Sequence, residues 1–144
     1  MVFILAASLF PRQISFGNEN GNFKVMGYFS ESPYLNDPID EAVQFDGLTH
    51  LIYGFLKPTE RLKELVDKSH AHGVNIVIAV GGVFYGNERL SGHFEALAGN
   101  DEAIWRFVQE VRGFVETYNL DGVEIDWEYP DAESSAQYER LILR

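Results

Sequence analysis

Short apolar runs alternate with amphipathic segments from Lys24 onward, and this rhythm most restricts the possible fold. The two segments of helical spacing lie at residues 60–72 and 101–118. Four runs typical of strands, apolar and rich in β-branched or aromatic residues, lie at residues 24–30, 48–55, 75–80 and 121–128. Strands that alternate with helices predict a parallel sheet wound by right-handed crossovers. The sequence therefore predicts the α/β class.

The predicted helices carry boundary signals. Thr59 and Gly73 predict the start and the left-handed end of the first one. Asn100 or Asp101 predicts the start of the second, whose apolar side chains recur about every 3.6 residues. A further helix is predicted over residues 134–144.

The first 23 residues differ in character from the rest. Met1–Phe10 is an apolar run about half as long as the roughly 20 residues needed to cross a bilayer, so no membrane span is predicted. A secretory signal is one interpretation, although no Lys or Arg precedes the run, and a buried apolar tail is the other. Residues 16–23 are typical of a polar linker. We expect a leader over residues 1–23 and a folded domain over residues 24–144.

Charge and composition exclude several classes of partner and chemistry. The chain has 11 Lys and Arg against 22 Asp and Glu, a formal net charge of −11. An acidic surface repels phosphate, so neither nucleic acid nor an anionic membrane is an expected partner. The absence of cysteine excludes disulfides, thiolate metal sites and a cysteine nucleophile. No metal site is predicted either, because ligand spacing backed by carboxylates is lacking at His50, His70, His72 and His93.

Three acids occupy alternate positions of the last predicted strand: Glu124, Asp126 and Glu128. Alternate side chains of a strand leave the same face, about 6.6 to 7 Å apart. An exposed antiparallel edge strand would show the same pattern, but both faces of a parallel sheet are normally covered, so these acids should be buried or line a cavity. Crowded, buried carboxyl groups have raised pKa values, which keeps one protonated for general acid catalysis. Glu128, at the carboxyl end of the strand, is the predicted proton donor.

The segment from Asp121 to Pro130 resembles the signature of family 18 glycoside hydrolases, the chitinases and their relatives. That signature reads Asp-Gly-x-Asp-x-Asp-x-Glu, commonly continued as Tyr-Pro. Three further segments resemble the family's first three strands in order: Gly27–Phe29, Leu48–Phe55 and Ala79–Gly82. The resemblance implies a (β/α)8 TIM barrel that binds β-1,4-linked N-acetylglucosamine polymers or related N-acetylated glycans, with no metal or organic cofactor.

The resemblance also implies a retaining mechanism in which the substrate assists. Glu128 would protonate the glycosidic oxygen while the sugar's own 2-acetamido carbonyl attacks the anomeric carbon and forms an oxazolinium ion. Asp126 would hold the acetamido N–H and share a proton with Glu124, and Asp121 corresponds to the family's more structural acid. Glu124 and Ala79 depart from the family's usual Asp and Ser, so we expect an altered pH dependence rather than lost chemistry.

Tyr28, Gly81 and Gly82 are the candidates for substrate binding. Tyr28 could form part of the floor beneath a sugar ring, and ordinary barrel packing is the alternative. Gly81 and Gly82 could allow close backbone approach at the mouth of the site, or simply make the turn after the third strand. Trp127 and Tyr129 are expected on the face opposite the acids, packed against the helices.

The number of predicted strand–helix units is half that of a complete barrel. A full barrel takes about 250 residues, whereas four units are predicted here. Two free sheet edges invite aggregation, pairing with a second copy, or completion by a second half. We therefore expect a partial catalytic domain that is inactive or nearly so when alone, because its acid lacks a complete substrate platform. The alternative to a hydrolase is a chitinase-like protein that binds glycan without turnover.

Overall fold

A computed structural model describes residues 23–30, 37–54 and 60–143. Nearly all of the expected leader and the predicted Thr59 cap lie outside the described residues. In chain order the helices and strands are β1 (Met26–Ser30), α1 (Ile39–Ala42), β2 (His50–Gly54), α2 (Glu60–Ala71), β3 (Asn75–Gly82), β4 (Phe84–Tyr85), β5 (Glu88–Arg89), α3 (Ser91–Ala98), α4 (Asp101–Tyr118), β6 (Gly122–Trp127) and α5 (Ser135–Ile142).

Four strands form one parallel sheet in the order β1-β2-β3-β6. The predicted parallel sheet is confirmed, with helices in the connections between its strands. β4 and β5 form a separate antiparallel hairpin between β3 and α3. Among the residues that the structure describes, β1 and β6 each pair on one side only, so each is an edge of the sheet.

Helix boundaries follow the sequence signals. Asn100 Oδ1 accepts hydrogen bonds from the backbone N–H groups of Glu102 and Ala103 at 2.9 and 3.1 Å, which confirms the predicted N-cap of α4. At the other end Asn119 takes the left-handed conformation, with φ of 54°. Gly73 follows α2 with φ of +68°, as predicted for the end of that helix.

The main hydrophobic core lies on one face of the sheet, which we call the outer face. Tyr53 is fully buried there and stacks on Phe29, with ring centroids 6.3 Å apart. Apolar side chains of α2 cover these strands, and each fully buried aliphatic side chain contributes about 1.5 to 3 kcal/mol. The strand and α2 members of this core are Phe29, Leu51, Tyr53, Ile76, Ile78, Leu62, Leu65 and Val66. Strand alternation directs the intervening side chains to the opposite, inner face.

A second cluster forms where α3, α4 and α5 meet the end of β6. Its buried members are Phe94, Ala98, Ile104, Trp127 and Leu141. α3 is missing from the sequence-based prediction, as are α1 and the β4–β5 hairpin. α3 has eight residues, α1 has four, and β4 has two. Each is too short for a periodic pattern to be recognised in the sequence.

α4 is amphipathic but covers the sheet incompletely. A gap of about 250 Å³ separates it from β3 and is lined by Ile78, Val80, Phe107, Glu110, Val111 and Phe114. These strand residues face outward, away from the acids, so the gap reflects loose helix packing rather than a substrate site. In the described ranges, no helix has both the length and the apolar character required to span a membrane.

Candidate active site

The end of β6 brings the three predicted catalytic acids together. Glu124 and Asp126 lie on the inner face, beside Ala79 and Gly81 of β3 in the strand register. Glu128 follows the strand directly, and a hydrogen bond between its carboxyl group and that of Asp126 is one of the causes that raise the Asp126 pKa. All three acids are half-buried. We call Glu124, Asp126 and Glu128 the carboxylate row.

Asp126 has a pKa above its ordinary value. Burial is the largest cause, followed by the negative charges of Glu128 and Glu124 and by the hydrogen bond with Glu128. Each of these favours the protonated carboxyl group. Two ionised carboxylates offer no donor, so a hydrogen bond between Asp126 and Glu128 requires one shared proton. The pair can therefore store the proton that an acid catalyst must deliver.

Tyr28 joins the carboxylate row from the other edge of the sheet. Its hydroxyl donates to Glu124 Oε1 at 2.5 Å. In a flat sheet β1 and β6 would stand about 14 Å apart, three strand spacings, so this contact shows that the sheet is strongly curved with its inner face concave. Burial, then the hydrogen bond to Glu124, raises the pKa of Tyr28 to about 12. The Tyr28 side chain nonetheless remains 58% exposed, so one part of it is open to solvent.

The two departures from the family signature meet at one point. Ala79 is the register partner of Glu124 and is buried, so a methyl group lies where a hydroxyl would offer a donor. Glu124 Oε2 is buried and, among the described residues, has no hydrogen-bond partner. An unsatisfied buried acceptor costs about 1 to 3 kcal/mol. The altered pH dependence expected from these two departures stays a prediction.

Gly81 allows β3 to approach Asp126 closely. Its φ is +135°, and a Cβ atom there would lie 2.1 Å from the Asp126 carbonyl oxygen and 3.1 Å from Cζ of Phe94. This close approach is between neighbouring strands, so both interpretations of the glycine pair remain open. Gly82 also has a positive φ, of 96°. Contact of either glycine with substrate stays a prediction.

Asp121 lies at the amino-terminal start of β6, away from the carboxylate row. Its Oδ2 accepts a hydrogen bond from the Ile76 backbone N–H at 2.8 Å. The same oxygen lies 2.8 Å from Nε2 of His70 in α2. Asp121 thus links the start of β6 to β3 and α2, contacts that suit the structural role implied by the family resemblance.

Trp127 and Tyr129 differ in their environments, although the same packing was expected for both. Trp127 is buried at 4% exposure and stacks on Phe94 with ring centroids 5.4 Å apart, which confirms the prediction for it. The prediction for Tyr129 is wrong, because this residue is 72% exposed. β6 ends at Trp127, so strand alternation does not extend to Tyr129. A hydrogen bond to Glu128 is the largest cause of the raised Tyr129 pKa.

Histidines in the described ranges have local partners rather than a shared centre. His70 pairs with Asp121, and His93 Nε2 lies 2.9 Å from Glu88 Oε1. His50 contacts the hydroxyl of its neighbour Thr49. Across residues 23–30, 37–54 and 60–143, no three His, Asp or Glu side chains are grouped closely enough to hold a metal ion.

Sequence comparison places the chain among known proteins. A profile described as "Glycosyl hydrolases family 18" matches residues 24–144. "Probable chitinase 10" of Drosophila melanogaster is 30% identical over 128 residues, covering 75% of this chain and 6% of that protein. A "chitinase-like effector" of Moniliophthora perniciosa is 30% identical over 129 residues, covering 80% of this chain and 28% of the effector. The chain thus spans less than a third of the length of these relatives.

Solved structures of chitinases match the fold of this chain. The crystal structure of a chitinase from Rhizomucor miehei matches with a TM-score of 0.65 and 26% identity, covering 84% of this chain and 42% of that one. A Group IV chitinase of Ostrinia furnacalis, solved in complex with allosamidin, matches with a TM-score of 0.57 and 25% identity over 67% of this chain and 31% of that one. The predicted fold class, a partial (β/α)8 barrel, is confirmed.

Proposed function

Because the chain belongs to family 18 of the glycosyl hydrolases, we propose that its carboxylate row cleaves β-1,4 glycosidic bonds in glycans containing N-acetylglucosamine, such as chitin. The hydrogen-bonded pair of Asp126 and Glu128 at the carboxyl end of β6 carries this proposal. General acid catalysis needs a protonated carboxyl group at the edge of a cleft, and the pair supplies one.

Glu128 is the proton donor of the proposed reaction. Its proton passes to the glycosidic oxygen as the bond to the anomeric carbon breaks, and the leaving sugar departs as an alcohol. The carbonyl oxygen of the substrate's 2-acetamido group attacks the anomeric carbon from the opposite side and forms an oxazolinium ion. Water then opens this ion and gives a proton back to Glu128, so the configuration is retained. The attack is intramolecular, which supplies much of the rate.

Asp126 and Glu124 support the donor in this proposal. Asp126 accepts a hydrogen bond from the acetamido N–H and offsets the positive charge that develops on the oxazolinium ion. When Asp126 turns toward the sugar, it leaves the shared proton on Glu128. Glu124 accepts a hydrogen bond from the Tyr28 hydroxyl and contributes to the raised pKa of Asp126.

The concave inner face is the proposed seat of the sugar. Tyr28 presents an exposed ring there, and aromatic rings suit the apolar faces of pyranosides. Gly81 and Gly82 have no side chains, so backbone groups at the end of β3 can approach a bound glycan. The four described strands provide one wall of the proposed cleft, and we expect weak binding and slow turnover when this chain is assayed alone.

Fluorophore release from an N-acetylated chitobioside tests the proposed reaction. We expect slow release by the wild-type chain and none by Glu128→Gln, because glutamine fills the same space but cannot donate an acidic proton. General acid catalysis typically contributes about 10² to 10⁴ in rate, so the loss should be complete at the sensitivity of the assay. Circular dichroism of both proteins controls for folding.

Equal release by the wild-type protein and Glu128→Gln would overturn the proposal. Glycan binding that is unchanged in Glu128→Gln, with no release by either protein, would instead establish a binding protein without turnover. Retention of Glu128 in this chain argues for the hydrolase.

The free edges at β1 and β6 bear on the proposed partners. A second copy of this chain can pair with both edges, because a twofold axis along the strands keeps all eight strands of the two copies parallel. Light scattering at several concentrations distinguishes the possibilities. About twice the monomer mass would indicate paired half barrels, and the monomer mass would exclude them.

A further inference from the structure

We propose that Ser91 and Phe94 of α3 are positioning residues for Glu128 and that they act through Trp127. Both residues contact Trp127, which alternates with the acids along β6 and so projects from the face opposite them. The inference deepens the proposed function, since it rests on Glu128 as the acid. In this inference, α3 restrains Glu128 through its contacts with Trp127.

Trp127 is held on three sides. Its indole N–H donates to Ser91 Oγ at 3.2 Å, and the Phe94 ring stacks on it at an interplanar angle of 13°. Tyr138 of α5 packs edge-on against it, with ring centroids 6.0 Å apart. The Ser91 hydroxyl in turn lies within 3.4 Å of Glu95 Oε1, so this hydroxyl accepts from the indole and donates to its own helix. A buried ring with a directed hydrogen bond has one preferred orientation.

The position of Trp127 determines where both acids of the pair lie. Asp126 precedes it and Glu128 follows it in the chain, so contacts that fix Trp127 also restrain the two neighbouring backbone units that carry the carboxyl groups. Phe94 also contacts the other side of this junction, because its Cζ lies 3.1 Å from the Cβ position of Gly81. Gly81 in turn lies against the Asp126 carbonyl oxygen. One ring therefore stabilises both strands at the level of the acids.

In residues 23–30, 37–54 and 60–143, no comparable buried contact supports the solvent side of the pair. Tyr129, the neighbour of Glu128 on the solvent side, is largely exposed, although its hydroxyl hydrogen-bonds Glu128. An exposed side chain exchanges conformers rapidly, whereas a buried aromatic pair does not. The hydrogen bond between Asp126 and Glu128 depends on sub-ångström placement. The rigid contacts of Trp127 behind the strand are the ones able to maintain it.

The test compares Ser91→Ala with the wild-type protein by NMR. Carboxyl carbons labelled with ¹³C report the apparent pKa of Asp126 without any substrate. The charged or titratable groups that act on it are Glu124 and Glu128 on its own segment, Tyr28 from β1 and Tyr129 after the strand. If Ser91→Ala releases the indole, Glu128 moves away from Asp126 and raises its pKa less, so the Asp126 pKa should fall toward its ordinary value.

Three controls isolate this effect. Ser135→Ala removes an exposed hydroxyl that donates only to the nearby Ala132 carbonyl, and it should leave the Asp126 pKa unchanged. Ser91→Thr keeps a hydroxyl and should restore the wild-type titration. Glu95→Gln keeps the size of the side chain to which the Ser91 hydroxyl donates and removes its charge. In each protein the indole signal of exposed Trp105 serves as the internal reference for that of Trp127.

The inference also predicts a kinetic signature. We expect Ser91→Ala to lower kcat about tenfold with little change in KM, below the roughly 10²-fold loss that a 1 Å misplacement can cause. An Asp126 pKa that stays constant while the Trp127 indole signal shifts would overturn the inference. If Ser91→Ala does not fold, Phe94→Leu takes its place with the same expected fall in the Asp126 pKa and the same overturning result.

The outcome separates this inference from the proposed function. A wild-type protein without glycan cleavage whose Asp126 pKa still falls in Ser91→Ala would refute the hydrolase and keep the positioning role. Suppose instead that glycan cleavage depends on Glu128, and that loss of the Ser91 hydroxyl changes neither the Asp126 titration nor kcat. That result would support the hydrolase and refute the positioning role.

Discussion

The two faces of the parallel sheet have opposite effects on stability, although the same strands form both. Outer-face side chains such as Tyr53 and Ile76 are fully buried in an apolar core under α2. The inner face of β6 instead carries like charges, an unpaired buried oxygen on Glu124 and a raised pKa on Asp126. The crowded acids on the inner face destabilise the folded protein, and the apolar core on the outer face compensates for that cost. Stability and chemistry can therefore be separated by mutation.

Truncation on the outer face should have the largest effect on stability. Ile76→Ala removes a fully buried side chain of β3, and we expect a loss of about 2 to 5 kcal/mol in the free energy of unfolding. Its sequence neighbour Val77 faces inward and is half-buried, so Val77→Ala should cost about 1 kcal/mol. Urea denaturation measures both. Equal losses would show that the two faces do not differ as described.

A methyl group at Gly81 should disturb both faces. Gly81→Ala places a Cβ atom against the Asp126 carbonyl in a backbone region that disfavours side chains, and we expect a loss of about 2 to 3 kcal/mol. Gly86→Ala is the matched control, because Gly86 also has a positive φ, +61°, but open space around its Cβ position. It should cost about 1 kcal/mol. Thermal unfolding that ranks Gly86→Ala as the more damaging change would contradict the close approach.

Removal of one charge from the carboxylate row should stabilise the protein. The folded state holds the Asp126 proton more tightly than the unfolded chain does, so its contribution to stability is present at low pH and is lost as pH rises through the raised pKa. Asp126→Asn removes this penalty, and we expect a rise in Tm of about 1 to 3 °C at neutral pH. The rise should vanish below the ordinary aspartate pKa. A variant less stable than the wild-type protein at neutral pH would refute the sign of this argument.

The smallest expected effect concerns Tyr28. Burial, followed by the hydrogen bond and the negative charge of Glu124, raises the Tyr28 pKa to about 12. Glu124→Gln removes that charge and should lower the Tyr28 pKa, which NMR of labelled tyrosine rings can follow. Glu110→Gln, on α4, removes a charge from the other side of the sheet and should leave it unchanged. Identical Tyr28 titrations in both variants would show that the contact across the inner face is absent in solution.

The sequence predicts those features whose signals are local or periodic. The alternation of Glu124, Asp126 and Glu128 with apolar residues predicted both the strand and the shared face of its acids, and Asn100 predicted the start of α4. The contact between Tyr28 and Glu124 could not be predicted, because it spans 96 residues and depends on how strongly the sheet curves. That curvature is a property of the assembled sheet and leaves no pattern in any one strand.

The contacts behind the acids were also beyond local prediction. Ser91 and Phe94 lie on an eight-residue helix that follows a two-residue hairpin strand, where no periodic signal accumulates. The aromatic character of Phe94 and Trp127 was the one sequence signal for these contacts, since each side chain needs an apolar partner when buried. Tyr129 misled the prediction for the opposite reason, because strand alternation was extended past the point where β6 ends.

The apparent pKa of Asp126, measured by NMR of labelled carboxyl carbons in the wild-type protein and in Glu128→Gln, tests most directly whether the two acids share a proton on the inner face. The account predicts a raised pKa in the wild-type protein that falls when Glu128 loses its charge. An Asp126 pKa that is the same in both proteins would contradict it.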